Sequence, residues 1–458
     1  LSAAALTIAA GIVAIVRFRV DVRLALLATA LALGALAGDV PAIVRMFLAT
    51  FSNERFVVPI CTAMGFAYVL KLTECDRHLV HLLVRPLTRV RPLLVPGTVV
   101  VGFVVNIPIV SQTSTAVTLG AVVIPILLAA RVPPVTVGAA LLLGSSFGGE
   151  LLNPGAPELR TVVEESTRAA AALHLPPPGL TDSLVARILP LDLAGLLVAT
   201  ALFWLLSPGQ EKPMGGAAEE PVTLPAGIAI NPIKALIPVL PLALLFLTAP
   251  PLRLVEVPAF WLVDAAGAAL TPAERGLFDS RLIGAAMLTG VVVAGLSTPR
   301  SGLQVAGTFF EGAGYGFTHI ISLIVTANCF GEAVKVVGLA ELLGEVIAAA
   351  PVLLMPVAGA LPLGFGVLCG SGMATTQSLF GFFATPALEL GFDPFVVGAV
   401  VSLAAAAGRT MSPFAAVTLM SAALTRTDAW QLAVRVAPPL LAAVVVEVVL
   451  AMMMAAGP

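Results

Sequence analysis

An all-α integral membrane fold built from two repeats is what this sequence predicts, and three observations predict it. Hydrophobic residues make up 59% of the 458 and charged residues 11%, with a mean hydropathy of +1.04. A soluble domain carries about 25% charged residues and is about half apolar, so the solvent for this surface is lipid. Apolar runs close to the length that crosses a bilayer recur from end to end, and about ten to twelve crossings with two re-entrant hairpins are expected from them. Finally, two stretches far apart in the chain repeat one pattern of polar residues and prolines inside apolar surroundings.

Taken in order, the runs fall at 2–17, 23–38, 56–72, 93–110, 114–130, 134–153, 184–206, 232–250, 280–297, 315–331, 350–368, 374–392, 395–411 and 430–455. The first is preceded by no basic segment and followed by Arg17, Arg19 and Arg23, the reverse of a signal peptide. It reads as a membrane helix with its N-terminus outside. Those arginines crowd one short loop, and Lys71, Arg77, Arg85, Arg89 and Arg91 crowd a second, two crossings later, so the positive-inside rule puts both in the cytoplasm. The stretches near 93–130 and 350–392 each read as helix, break, helix, which is the pattern of a re-entrant hairpin. Each is followed by a helix that proline interrupts, over 134–170 and 395–425. Glu158, Glu164 and Glu165 are expected in a solvated loop. The segment 207–231, with Pro208, Pro213, Pro221, Pro225 and four charged residues, cannot bury enough apolar surface to order itself and reads as a linker. It divides the chain into repeat halves 1–206 and 232–458. A second polar connection, from Pro251 to Asp279, places a short interfacial helix around Trp261.

The repeat itself is specific. Ser111-Gln112-Thr113-Ser114-Thr115, Gly120, Pro125 and Asn153-Pro154 answer to Ser371-Gly372-Met373-Ala374-Thr375-Thr376, Gly381, Pro386 and Ser412-Pro413. Upstream, Thr62-Ala63-Met64-Gly65-Phe66 to Lys71 matches Thr326-Ala327-Asn328-Cys329-Phe330 to Lys335 in the same order. Paired Gly/Pro-interrupted hydrophobic segments point to the binding site of a secondary transporter.

The chemistry follows from what such breaks expose. Half-helix ends meeting near the midplane present free N–H groups to an anion and free carbonyls to a cation. Ser111, Thr113, Ser114 and Thr115 on one tip, and Ser371, Thr375 and Thr376 on the other, add donors without fixed charge. Isolated hydroxyls usually bond their own helix; a duplicated cluster is different. Proline frees the carbonyl four residues earlier and pushes its predecessor out of helical geometry, so Asn153 and Ser412 are expected on unwound backbone facing the other hairpin, with Thr410 beside them. Arg409 is a charge inside an apolar run, costing about 2.5–3.5 kcal/mol on insertion scales, and its planar fork suits a carboxylate. Glu150 is its acidic counterpart: a proton carrier, a cation ligand or the partner of Arg409. Glu332 is a further proton-coupling candidate, and Ser111 and Thr113 could serve a coupling ion. No nucleotide loop is present, so ATP is not the expected direct energy source and no cofactor is implied beyond Na+ or H+ coupling. His78, His81, His174 and His319 form no ligand cluster, Cys61, Cys75, Cys329 and Cys369 show no metal spacing and read as small core residues, and no basic cluster with aromatics suggests nucleic acid. An enzyme would need a paired acid and base or an activated nucleophile, and a passive channel has no use for two broken-helix repeats. A secondary carrier is the favoured expectation.

The run from Ser111 through Pro125 to Asn153-Pro154, the Gly370-Ser371-Gly372 tip and above all Gly408-Arg409-Thr410-Met411-Ser412-Pro413 resemble the DcuC-type anaerobic C4-dicarboxylate carriers of the ion transporter superfamily. The resemblance covers nearly the whole chain, with the Gly-Arg-Thr-x-Ser-Pro run its most specific part. It implies a multi-pass protein of the bacterial inner membrane that exchanges or exports succinate against fumarate, malate or similar dianions. It also implies inverted repeats, a scaffold part that dimerises and a transport part that moves like an elevator. By that analogy Ser114, Thr115, Thr375, Thr376 and Ser412 line the substrate site with Arg409 nearby, whereas small or apolar residues would be expected at Glu150 and Asn153. Those two leave a different organic anion or an amino-acid-like solute as the alternative substrate.

Overall fold

The computed structural model describes residues 3–4, 6–11, 20–86, 90–178, 181–207, 230–248, 254–264, 270–339, 347 and 349–455. Half of the first expected span and almost all of the expected linker lie outside the described residues. Within the described residues the chain is helical throughout, with no strand. Eight helical runs are long and apolar enough to cross a membrane, and six shorter apolar helices accompany them.

The first half begins with α1 (Val22–Ala37), α2 (Val40–Phe51), α3 (Glu54–Thr73) and α4 (Cys75–Val84). It continues with α5 (Leu94–Asn106), α6 (Gln112–Ala129), α7 (Pro134–Ser146), α8 (Pro157–Ala172) and α9 (Thr181–Leu206). The second half holds α10 (Pro232–Leu236), α11 (Leu240–Thr248), α12 (Pro272–Ser297), α13 (Gly302–Gly316) and α14 (Ser322–Val336), the last two joined by a π turn over Phe317–Ile321. It ends with α15 (Leu354–Cys369), α16 (Gly372–Leu379), α17 (Gly381–Glu389), α18 (Pro394–Thr410), α19 (Ala416–Thr425) and α20 (Ala429–Ala455). The sequence's helix, break, helix stretches are therefore α5–α6 and α15–α17. The expected interfacial helix at Trp261 is one 3-10 turn, Ala259–Trp261, with Trp261 exposed.

Local chemistry sets the boundaries. Ser111 and Ser371 cap α6 and α16 by accepting from the backbone N–H of Ser114 and Ala374, so each break ends on a hydroxyl that satisfies a free helix donor. Gly370 takes a left-handed φ of 68° to stop α15, a conformation glycine enters without a Cβ clash. Pro134, Pro157 and Pro394 open α7, α8 and α18, where a missing N–H costs nothing.

Glycine contacts lock α5 to α7 and α15 to α18. A β-carbon on Gly102 of α5 would lie 2.7 Å from the Gly144 backbone of α7. One on Gly408 of α18 would lie 2.4 Å from the Leu363 carbonyl and 3.1 Å from Gly366 of α15. Helices approach this closely only through small residues, the usual means of association in lipid. The helices after the breaks then change sides. α8 packs on α16, α17 and α18 of the second half, while α19 packs on α6 and α7 of the first. The centre is correspondingly dry: every residue of α18 is buried, and 94% of the most apolar window of the Pro134–Ala172 run is buried. For Pro351–Cys369 the figure is 33%, leaving that helix to face lipid.

The expected placement of three acids is overturned. Glu158, Glu164 and Glu165 lie on helix α8, packed inside the molecule, and not in a solvated loop. Glu164 pairs with Arg55 of α3 at 2.9 Å and Glu165 with Arg168 at 2.6 Å. Charges satisfied in this way make a polar sequence compatible with a buried helix.

Candidate functional site

The break after α7 runs through a 3-10 turn, Gly149–Leu152, to Asn153, whose backbone is extended (φ −92°, ψ 120°). Gly148 before it is left-handed (φ 81°). The helical bonds lost here are replaced by side chains. Asn106, the last residue of α5, accepts from the Glu150 N–H at 3.2 Å and donates to the Ile109 carbonyl at 3.0 Å and the Thr115 hydroxyl at 3.4 Å. Asn153 donates to the Ile107 carbonyl at 2.9 Å and accepts from the Gly155 N–H. Asn153 thus holds the hairpin of its own half, and not the opposite one as expected. The reason is proximity: its backbone leaves α7 alongside α5, which the Gly102–Gly144 contact brings close.

The equivalent break at the end of α18 carries the cation. Arg409 donates from Nη2 to Glu150 Oε1 at 2.6 Å and to the Ser146 carbonyl at 2.5 Å, and from Nε to the Ser146 hydroxyl at 3.2 Å. The Thr410 hydroxyl sits 2.8 Å from that of Ser146. Both charged side chains are buried, 7% exposed for Arg409 and 1% for Glu150, so neither would be stable there alone. Of the three roles open to Glu150 from sequence, partner of Arg409 is the one the geometry realises. Its other oxygen, Oε2, is buried without a partner.

Arg409 also faces the second hairpin. A β-carbon on Gly372, the first residue of α16, would lie 3.2 Å from Arg409 Nη1. No hydrogen bond to the described residues is made by that nitrogen. A guanidinium nitrogen without a hydrogen bond to the described residues therefore stands at a helix N-terminus, where both carry positive charge. Around it, Thr375 bonds the Ser371 carbonyl at 2.8 Å and meets Cys369 Sγ at 3.4 Å. The Thr376 hydroxyl is buried and unpartnered. Ser412 is buried and accepts from the Phe414 N–H.

On the first hairpin Ser111 and Thr113 bond each other at 3.3 Å, beside half-buried Ser114. Glu332 joins none of these bonds; it lines a separate shallow cleft with Glu165, Arg168, Asn328, Lys335 and Gln377. Sequence reasoning missed Ser146 and Asn106. Their only signal is position, each standing at the last turn of a helix just before a Gly- or Pro-bearing break.

Broken helices meeting around a buried polar cluster inside a multi-pass helical protein define a membrane transporter. The comparisons narrow the class. No family model matches the chain. It is 36% identical to an uncharacterized transporter of Haemophilus influenzae over 131 residues, 28% of this chain and 90% of that protein. A second uncharacterized transporter of the same organism is 28% identical over 216 residues, 47% of this chain and 71% of the other. The anaerobic C4-dicarboxylate transporter DcuC of Escherichia coli is 26% identical over 160 residues, 34% of each chain. In fold, the chain superimposes on the Alcanivorax borkumensis YdaH transporter, whose crystal structure has an unusual topology, with a TM-score of 0.58 at 17% identity over 93% of this chain and 95% of that one. The chain belongs to the family of the first of these Haemophilus transporters and is similar to DcuC over about a third of its length. It is a transporter and not an enzyme, as the sequence predicts.

Proposed function

We propose that this protein is a secondary carrier of small carboxylates, with C4-dicarboxylates such as succinate, fumarate and malate as substrates. The observation that carries the reading is Arg409: its Nη1 is unengaged and faces the N-terminal end of α16, beside a hydroxyl cluster that adds donors but no charge. Substrate carboxylate would sit between Arg409, the Ser371–Thr376 tip and Ser412. Glu150 neutralises the guanidinium when no anion is bound, and an arriving dianion competes with it. Ser114, Thr115 and Asn153 shape the facing wall, with Thr410 fixing Arg409 against Ser146.

In this reading α5–α6 and α15–α17 are re-entrant hairpins of two inverted repeats. Support comes from the matched glycine contacts, Gly102 with Gly144 and Gly366 with Gly408, and from the Ser146–Thr410 bond that joins the two broken helices. The hairpins and broken helices move as a transport part against a dimeric scaffold in a bacterial inner membrane, giving elevator-type alternating access. A second reading has its own observation. Glu150 beside Arg409 offers one anionic and one cationic group, which would suit the ammonium and carboxylate of an amino-acid-like solute.

Counterflow in proteoliposomes tests both. Vesicles preloaded with unlabelled succinate should transiently accumulate labelled succinate, and Arg409→Ala should abolish the accumulation. No counterflow in wild type, with a control carrier active in the same vesicles, rejects the dicarboxylate. Displacement of the label by amino acids in place of fumarate or malate would favour the second reading.

A further inference from the structure

Two more buried acids lie behind the site. Asp192 is on α9 and Glu447 on α20, two helices that pack along each other, and the residues are 0% and 1% exposed. All four of their carboxyl oxygens are buried without a hydrogen-bond partner. Room has been made for both groups by glycines. Glu447 Oε1 lies 1.9 Å from where a β-carbon on Gly195 would be, and Asp192 Oδ1 lies 2.7 Å from the corresponding point on Gly148. Gly195 is one turn from Asp192 on the same face of α9, so the Glu447 carboxyl rests against α9 next to Asp192. The Asp192 carboxyl in turn lies against Gly148, two residues before Glu150 in the break.

The charged groups on the surrounding elements are few. α20 adds Arg435 and α9 adds Arg187; Arg435 bonds the Leu206 carbonyl and Arg187 pairs with Asp393, both at exposed positions. On the inner side, the break contributes Glu150, α18 contributes Arg409, and α8 contributes Glu158. Arg409 is already engaged by Glu150. Two unpaired carboxylates in this setting would each lose the solvation that stabilises their charge, with nothing nearby to replace it. Such groups neutralise instead. Among the described residues no set of three acids, histidines or cysteines is placed to hold a metal ion, so the proton is the cation these two groups fit. Acid chains inside membranes are characteristic of proton relays.

We propose that Asp192 and Glu447 form a proton-binding site inside the carrier, linked to the substrate site through the Gly148–Glu150 break. A carboxyl O–H of the pair gives up its proton, becoming a carboxylate, and Glu150 Oε2, itself unpartnered, accepts it when substrate displaces Glu150 from Arg409. The role in transport rests on the carrier reading above and supplies its driving ion; proton binding itself does not depend on any organic substrate.

Infrared spectroscopy of the purified protein in lipid at neutral pH tests it without a substrate. Wild type should show a protonated-carboxyl C=O stretch that shifts in D2O, and Asp192→Asn or Glu447→Gln should remove the larger part of that band. Three results would overturn the proposal: no such band in wild type, a band left intact by both variants, or a band that does not exchange with D2O within hours. Should one variant fail to fold, the other and the wild-type exchange decide. If succinate counterflow fails while the infrared result holds, the substrate is wrong and the proton site stands. If counterflow holds and the band is absent, the reverse is true.

Discussion

Arg409 is held by three hydrogen bonds, all on one side of its guanidinium. Removing it leaves Glu150 buried and unpaired, a loss of about 3–5 kcal/mol, so Arg409→Ala is expected to lower the thermal midpoint as well as abolish transport. Arg409→Lys separates the two effects. It keeps the charge but lacks the fork that meets a carboxylate in two places, so the protein should stay folded and show a raised KM for succinate in counterflow. Glu150→Gln takes away the internal competitor for the guanidinium. Succinate should therefore raise the thermal midpoint of Glu150→Gln by more than it raises that of wild type, and an equal shift would argue against competition. Arg409 and Glu150 were legible in the sequence because a charge in an apolar run has few explanations. Ser146 was not. Its neighbour Ser145 bonds the Leu141 carbonyl of its own helix at 2.7 Å, whereas Ser146 crosses to Arg409 and Thr410. Two adjacent serines look alike until the second helix is in place.

At the scale of elements, the hairpin breaks were legible and the partners across them were not. Gly370, Ser371 and Pro413 announce where helices stop because each removes a specific option from the backbone: glycine permits positive φ, serine caps a donor, proline deletes one. The cap at Ser371 is expected to contribute about 1 kcal/mol. Ser371→Ala should accordingly lower stability modestly and loosen α16, measurable as faster deuterium exchange at Ala374, while Ser371→Thr should restore protection. Helix α8 shows the opposite case. Glu158, Arg160, Glu164, Glu165 and Arg168 give it the composition of a surface segment. Glu165 meets Arg168 one turn away, but the groups that meet Glu164 and Arg160, Arg55 and Ser280, lie more than 100 residues away. No local pattern encodes a partner at that distance.

The whole molecule is held by an exchange between halves. Gly138 and Gly398 occupy the same place on α7 and α18, four residues after the opening proline. Each makes room for the helix that has crossed over: a β-carbon on Gly138 would lie 2.6 Å from Thr425 of α19, and one on Gly398 would lie 2.3 Å from Val162 of α8. Gly138→Ala and Gly398→Ala should each destabilise by about 1–3 kcal/mol through overpacking, read as a lower thermal midpoint in the reconstituted protein. Two unchanged midpoints would mean that the crossed helices are peripheral to stability. This crossing sets a constraint on manufacture. When α5 to α8 leave the ribosome, the surface that receives α8 has not been synthesised, and α6 and α7 lack the helix that covers them. The first half must wait in the bilayer, its acids and hydroxyls unmatched, until residues near 425 have been inserted. Contacts of such long sequence separation form slowly, and an incomplete core left exposed in the meantime is prone to mispair. A truncated chain is therefore expected to be a target for membrane quality control, with no working half-transporter produced.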